Sequence, residues 1–230
     1  MDSWTVLDTA IIPNNGGELT LSQCDDEFSI SISGVSGELM NSCYFGSEEA
    51  LSELGCEHIK SEENAHVLVG GLGMGYTLAA ALREVNDTAT VTVAELIPEV
   101  VEWNKGPLGE CAGNPLSDPR AKVRVGDVAE LFDDEKPAFD SILLDVDNGP
   151  KGITHKDNQW LYSLSGLKAI YNTLHPEGML AIWSAGTDPL FLIRLKKTGF
   201  RVTMRTVKEH NGGGRDHTIY LAKKSTQVYF

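Results

Sequence analysis

The sequence predicts an α/β fold, a parallel sheet with helices on both faces, preceded by a small β-rich segment. Three observations carry this. From His66 onward, apolar strand-like runs alternate with helical segments, the order that builds a parallel sheet covered by helices. The run Phe139-Asp140-Ser141-Ile142-Leu143-Leu144-Asp145 is almost wholly apolar at its centre, as a strand buried on both faces must be. Finally, His66-Val67-Leu68-Val69 breaks into Gly70-Gly71-Leu72-Gly73-Met74-Gly75 before a helix, and the next strand, Val91-Thr92-Val93-Ala94-Glu95, ends in an acid.

Residues 1–64 read as a small N-terminal β-rich region and 65–230 as the sheet-and-helix domain. In the first part, Leu19–Gln23 and Glu27–Ile32 alternate apolar and polar residues about the turn Asp25-Asp26, which predicts a hairpin. Ser47-Glu48-Glu49-Ala50-Leu51 has the pattern of a capped helix start. That helix runs to Gly55, and Lys60-Ser61-Glu62-Glu63-Asn64 forms the junction. Strands follow at 66–70, 90–95, 121–126, 139–146 and 178–185, with helices between them. Phe200 to Val207 and His217 to Ala222 are two β runs joined by Asn211-Gly212-Gly213-Gly214. They read as an antiparallel pair closing the sheet.

A chain of 230 residues can bury a substantial core. Its 41% hydrophobic and 23% charged residues are ordinary for a soluble globular protein. Neither a membrane-length apolar run nor a signal-peptide pattern is visible, so a cytoplasmic location and no membrane partner are expected. Cys24, Cys43, Cys56 and Cys111 form no CxxC pair, which fits reduced structural thiols and no metal site. A net charge of -14 opposes a nucleic-acid partner. It suits a cationic substrate, although acidity also serves solubility.

Glycines at Gly71, Gly73 and Gly75 permit positive φ and bring bare backbone close to a ligand. Glu95, roughly 20 residues on, is placed to accept bonds from ribose hydroxyls. Together they indicate a nucleoside cofactor. A dinucleotide is disfavoured, because the fingerprint counted from Gly71 and Gly73 puts bulky Tyr76 where a small residue belongs. The Walker pattern is absent. Ligands in such sheets sit at the carboxyl ends of the strands, where Glu95, Asp127 and Asp145 fall. Each also has a purely structural reading. Glu95 could be a helix N-terminal acid and Asp127 an N-cap, while Asp145 and Asp147 could cap the turn Asn148-Gly149-Pro150.

With its G-x-G-x-G spacing, strand-end acids and antiparallel C-terminal pair, the chain resembles the class I fold that binds S-adenosylmethionine. That is a Rossmann-like, seven-stranded methyltransferase sheet with the last strand antiparallel. Six segments carry a closer resemblance: Val67–Gly75, Ala94–Val101, Asp118-Pro119-Arg120, Val125-Gly126-Asp127-Val128, Ile142–Asp145 and Leu174–Gly178. Over residues 66–185 the chain is similar to the spermidine synthase (polyamine aminopropyltransferase) family and its methyltransferase-like relatives. The resemblance implies that Glu95 holds the ribose and that Asp127, beside the Val128 backbone, accepts from the adenine amino group. The loop of Gly71, Gly73 and Gly75 would lie against the methionine-derived part of S-adenosylmethionine or its decarboxylated form. Asp145, with Asp147 beside it, would act on the amine nucleophile.

Three departures bear on the reaction. The family places an Asp between its loop glycines, where this chain has Leu72 and Met74. The family's Asp-Ser-Ser-Asp-Pro after strand four becomes Asp145-Val146-Asp147-Asn148-Gly149-Pro150. Its Tyr-His-Glu segment at the amine groove corresponds to Gly37–Cys43, which offers only Glu38. These departures put methyl transfer to a small amine-bearing substrate first, with aminopropyl transfer from the decarboxylated cofactor as the alternative. A non-catalytic nucleoside-binding protein is the third reading.

The expected partner is a small cationic amine, and the N-terminal hairpin points to a homodimer as in the family. The stretch His210–His217 reads as a plain hairpin or as a lid bringing His210, Arg215 or His217 to the substrate. Trp103, Trp160 and Trp183 are expected in the core, although Trp183 and Ser184 end a strand and could border the pocket. Asn158, Tyr162 and Ser163 are weaker candidates.

Overall fold

The structure is a computed structural model describing residues 3–14, 16–34, 37–132, 136–146, 159–210 and 213–225. The N-terminal strands β1 (Thr5–Ile12), β2 (Gly17–Cys24), β3 (Glu27–Ile32) and β4 (Glu38–Asn41) form an antiparallel sheet in sequence order. The expected hairpin is its central pair. β1 escapes a periodicity reading because its register shifts between Val6 and Asp8, and the strand from Thr5 to Thr9 is exposed. An interrupted alternation at a sheet edge leaves no two-residue pattern to read. On the inner face Leu19, Leu21, Ile30 and Ile32 are buried in the same cluster as Leu51 and Trp103 of the helices.

The second sheet has seven strands in the order β10-β11-β9-β8-β5-β6-β7. These are β5 (His66–Gly70), β6 (Thr90–Glu95), β7 (Ala121–Val125), β8 (Phe139–Leu144), β9 (Leu174–Ser184), β10 (Phe200–His210) and β11 (Gly213–Lys224). β5 to β9 are parallel, and β11 is antiparallel to both of its neighbours. The α/β class, the parallel centre and the antiparallel C-terminal pair are therefore as the sequence implied. β9 starts at Leu174 rather than 178, because Pro176 and the positive φ of Glu177 disguise its first residues. Among the described residues no helix of the expected kind joins β7 to β8. A 3-10 turn, Val128–Phe132, takes its place.

Among the described residues the α-helices are α1 (Gly46–Cys56), α2 (Tyr76–Glu84), α3 (Pro98–Lys105), α4 (Leu164–Thr173) and α5 (Pro189–Thr198). The first three pack on one face of the sheet and the last two on the other. α1 begins one residue before the expected cap. Its N-cap is Phe45, without a side-chain cap, and the Ser47 hydroxyl instead donates to Glu48 Oε2 at 2.6 Å. The helix lies close on the sheet, since a Cβ on Gly55 would collide with Leu143. Ser141 Oγ donates to the Gly55 carbonyl at 2.9 Å, and Ser52 Oγ to the Thr77 carbonyl of α2 at 2.8 Å. Among the described residues no helix is long and apolar enough to cross a membrane.

The strand order reverses between β5 and β8, whose successors run off in opposite directions. Such a switch point opens a crevice at the carboxyl ends of its two strands. The next residues of the chain are Gly71 after β5 and Asp145 after β8.

Candidate active site

The floor of the crevice is the glycine loop. Gly71, Gly73 and Gly75 all have positive φ, at 90°, 52° and 87°. At Gly71 a side chain is excluded twice over, because its Cβ would run into the Asp145 carbonyl and the backbone is left-handed. The loop is anchored from both neighbouring strands. Gly71 N donates to the Ala94 carbonyl and Asp145 N to the Gly70 carbonyl, each at 2.9 Å. Asn104 of α3 donates from Nδ2 to the Gly73 carbonyl at 2.8 Å.

Leu72 and Met74, read as apolar substitutes for the family's acid, are 3% and 4% exposed and belong to the core cluster. They turn into the protein, so neither presents an apolar group to a cofactor tail. The surface of Gly73 is covered instead by Met40 of β4, whose Sδ lies 2.9 Å from where a Cβ would be.

Glu95 ends β6, is 7% exposed, and accepts from Leu72 N through Oε2 and from Ile97 N through Oε1, each at 2.9 Å. The carboxylate therefore ties the glycine loop to the start of α3. Burial pushes its pKa up, and the backbone N–H groups around it oppose that rise. The N–H groups of Gly73 and Leu96 also bear on the carboxylate. Asp127 lies two residues beyond β7, where Oδ1 accepts from Ala129 N at 2.8 Å and caps the 3-10 turn. Val128 is buried and its Cγ2 is 3.3 Å from the Cβ position of Gly70. The cap reading of Asp127 is thus realised in geometry, with Oδ2 still able to accept a bond.

Asp145 accepts from Thr77 Oγ1 of α2 at 2.7 Å, and burial raises its pKa against that hydrogen bond. The group facing it was not anticipated. Glu48, in the first turn of α1, has its pKa pushed up to about 7, first by burial and next by the Asp145 carboxylate. Two half-buried acids thus act on each other in one corner of the crevice, and Glu209 of β10 adds to the repulsion on Glu48. Glu38, the acid the sequence offered for this place, instead accepts from Asn41 Nδ2 at 2.9 Å on β4. Local pattern explained Glu48 as a favourable helix-start acid, which concealed its second role. The neighbouring Glu49 fills the helix-start role on the surface and pairs with Arg83 at 2.5 Å.

Asp147 and Asn158 lie outside the described residues. Tyr162 is buried edge-on to Phe191, and Ser163 is the N-cap of α4, accepting from Gly166 N at 3.1 Å. Trp103 is buried and donates from Nε1 to Asp8 at 2.8 Å. Trp160 and Trp183 are partly buried against the core. In the stretch His210–His217, Asn211 and Gly212 lie outside the described residues. His217 is 8% exposed, its ring 4.6 Å from that of Trp183.

Comparison with known proteins agrees with this fold. The spermine/spermidine synthase domain family matches residues 44–191, more than half of the chain. No curated protein sequence matches. Two solved structures share the fold over 96% of this chain and 73% of their own. One is a spermidine synthase in complex with the transition-state analogue AdoDATO, at TM-score 0.71 and 19% identity. The other is the spermidine synthase of Thermotoga maritima, at 0.72 and 18%. The chain therefore belongs to the spermine/spermidine synthase family, and with it to the transferases that use an S-adenosyl sulfonium cofactor.

Proposed function

We propose that the protein transfers an aminopropyl group from decarboxylated S-adenosylmethionine to an amine acceptor. The observation that carries this is the half-buried pair Asp145 and Glu48 beside the glycine loop. Two acids in one half-buried corner repel each other unless a cation lies between them, and an amine acceptor is that cation. Family membership favours this reaction over methyl transfer.

The residues present fit the cofactor. Glycines without Cβ atoms let the loop pass close beside Asp145 and Met40, the Glu95 carboxylate at the end of β6 is the group for ribose hydroxyls, and Asp127 Oδ2 can meet an adenine amino group. When bound, the sulfonium supplies the electrophilic carbon. The chain's own task is to hold the amine in line and remove its proton. Deprotonating an alkyl ammonium at neutral pH costs roughly 4 kcal/mol. Asp145, fixed by Thr77, binds the ammonium, and Glu48, with a pKa near the working pH, accepts the proton.

Calorimetry with S-adenosylmethionine, its decarboxylated form and methylthioadenosine tests the proposal, followed by product analysis with an amine. Tighter binding of the decarboxylated form is expected. Preference for the carboxylated form would return the reading to methyl transfer, and no binding by any of the three removes the cofactor.

A further inference from the structure

The two acids of the crevice corner stand on separate parts of the fold, Asp145 behind β8 and Glu48 on α1, and a line of side chains runs from one to the other. Ser52 lies one turn after Glu48 on the same face of α1. It is wholly buried. A serine inside a helix commonly turns its hydroxyl back to the carbonyl four residues earlier, which here belongs to Glu48. Ser52 Oγ reaches across to α2 instead and donates to the Thr77 carbonyl at 2.8 Å. Thr77, buried in the first turn of α2, donates its own hydroxyl to Asp145 Oδ2 at 2.7 Å. Glu48, Ser52, Thr77 and Asp145 thus follow one another from the first acid to the second.

The rest of α1 is held mainly by close approach. At its far end Gly55 leaves no room for a side chain against Leu143, and at its start a Cβ on Gly46 would lie 3.0 Å from the His210 Cα. Contacts of this kind press the helix onto the sheet, but apolar packing has no direction, whereas a hydrogen bond does. Ser141 supplies one such bond, to the Gly55 carbonyl at the end away from Glu48. Arg83 of α2 pairs with Glu49, but at the surface, where an ion pair holds weakly. The Ser52 bond is buried and lies about 6 Å along the axis from Glu48. It also works against a load. Asp145 and Glu209 both repel the Glu48 carboxylate, so an untethered α1 would turn away from them.

We propose that Ser52 is a positioning residue for the acid pair: bonded to Thr77, it fixes α1 on α2 so that Glu48 stays beside Asp145. The use of the pair in removing a proton from an amine rests on the aminopropyl-transfer reading, whereas the placement of Glu48 by Ser52 does not. The groups that face Glu48 are Asp145 beyond β8, Glu209 on β10 and the Ser47 hydroxyl beside it. Burial and the two carboxylates raise its pKa, and the Ser47 bond opposes them. Ser47 lies next to Glu48 on α1 and moves with it. Without the Ser52 hydroxyl, α1 yields to the repulsion, the raising effects weaken, and Glu48 becomes a more ordinary acid. A serine that merely stabilised the helix would leave that acidity as it is.

The test is the titration of the Glu48 carboxyl in the ligand-free full chain, followed by carbon NMR of isotope-labelled protein and assigned with Glu48→Gln. Wild type should titrate at about 7. Ser52→Ala should make Glu48 a stronger acid by about threefold or more, and Ser52→Cys, with a weaker donor of similar size, should fall between the two. Leu51→Val is the control, since it loosens an equally buried neighbour on α1 without touching the hydrogen bond, and its Glu48 should titrate as in wild type. In turnover with the decarboxylated cofactor and 1,4-diaminobutane, Ser52→Ala should lower kcat and move its acid limb to lower pH, with methylthioadenosine binding unchanged. A Glu48 titration unaltered in both Ser52 variants, or lowered as much by Leu51→Val, overturns the positioning role. If the titration moves as expected but even wild type transfers no aminopropyl group, Ser52 keeps its role and the transfer reading falls.

Discussion

Replacing Glu48 with glutamine is expected to make the ligand-free protein more stable at neutral pH. Burial, and after it the Asp145 carboxylate, lifts the Glu48 pKa from an ordinary 4.5 to about 7. At about 1.4 kcal/mol for each tenfold, that lift costs the ionised form about 3 kcal/mol. The folded state binds this proton more tightly than the unfolded chain does. The group therefore favours folding below about pH 4.5, and that advantage is lost as the pH rises through about 7. Because Asp145 titrates alongside it, the loss belongs to the pair. Glutamine carries no proton to lose, so Glu48→Gln should gain up to about 3 kcal/mol over wild type above pH 7. For a chain of this length, at about 2–4 °C per kcal/mol, the melting temperature should rise by up to about 6–12 °C. Thermal unfolding followed by circular dichroism from pH 5 to 8, with and without spermidine, reads both effects. The wild type should lose melting temperature across that window and regain it with the polyamine, while the variant should do neither to the same extent. Parallel curves for the two proteins would refute the acid-pair argument.

Other substitutions separate the roles of the remaining acids. Asp145→Asn should leave calorimetric binding of the adenosyl cofactor nearly intact and lower kcat by about 100-fold or more; an unchanged kcat clears Asp145 of a part in holding the acceptor amine. Glu95→Ala should weaken nucleoside binding by about 1.5–3 kcal/mol and also lower the melting temperature, because Leu72 and Ile97 lose their acceptor. If only the melting temperature changes, Glu95 shapes the loop without touching ligand. At the opposite end of the sheet, burial holds His58 below its usual 6.5. The folded state therefore binds this proton less readily, and stability falls as the pH drops through 6.5. His58→Gln should flatten the acid limb of the urea midpoint against pH, and an unaltered limb refutes the assignment.

The parallel core was readable because its strands are buried on both faces. β5 shows as a nearly continuous apolar run and β8 ends in one, Ile142-Leu143-Leu144, and glycines in left-handed conformation mark where the chain must turn. The edges were not readable, for the converse reason. β1 and β4 owe their place to pairing with β2 and β3 rather than to a pattern of their own. The first residues of β9 are obscured by Pro176, although they still pair with β8 through Phe139 and Leu174.

The site divides along the same line. Glu95, Asp127 and Asp145 stand at strand ends, where position in the chain already implies position in the crevice. Glu48 does not, because its placement depends on how α1 lies on the sheet. That depends in turn on Gly55 admitting Leu143, on the Ser141 bond to the Gly55 carbonyl, and on Ser52 reaching α2. None of these contacts involves a charged residue or a motif, yet together they press an acid into a corner that already holds one. An isolated acid at a helix start is stabilising, whereas here the same residue is destabilised by its surroundings. A fold that keeps such a group must gain something when the charge is matched. The natural match is the ammonium of the acceptor, so the cost carried by the empty site becomes affinity when the amine arrives.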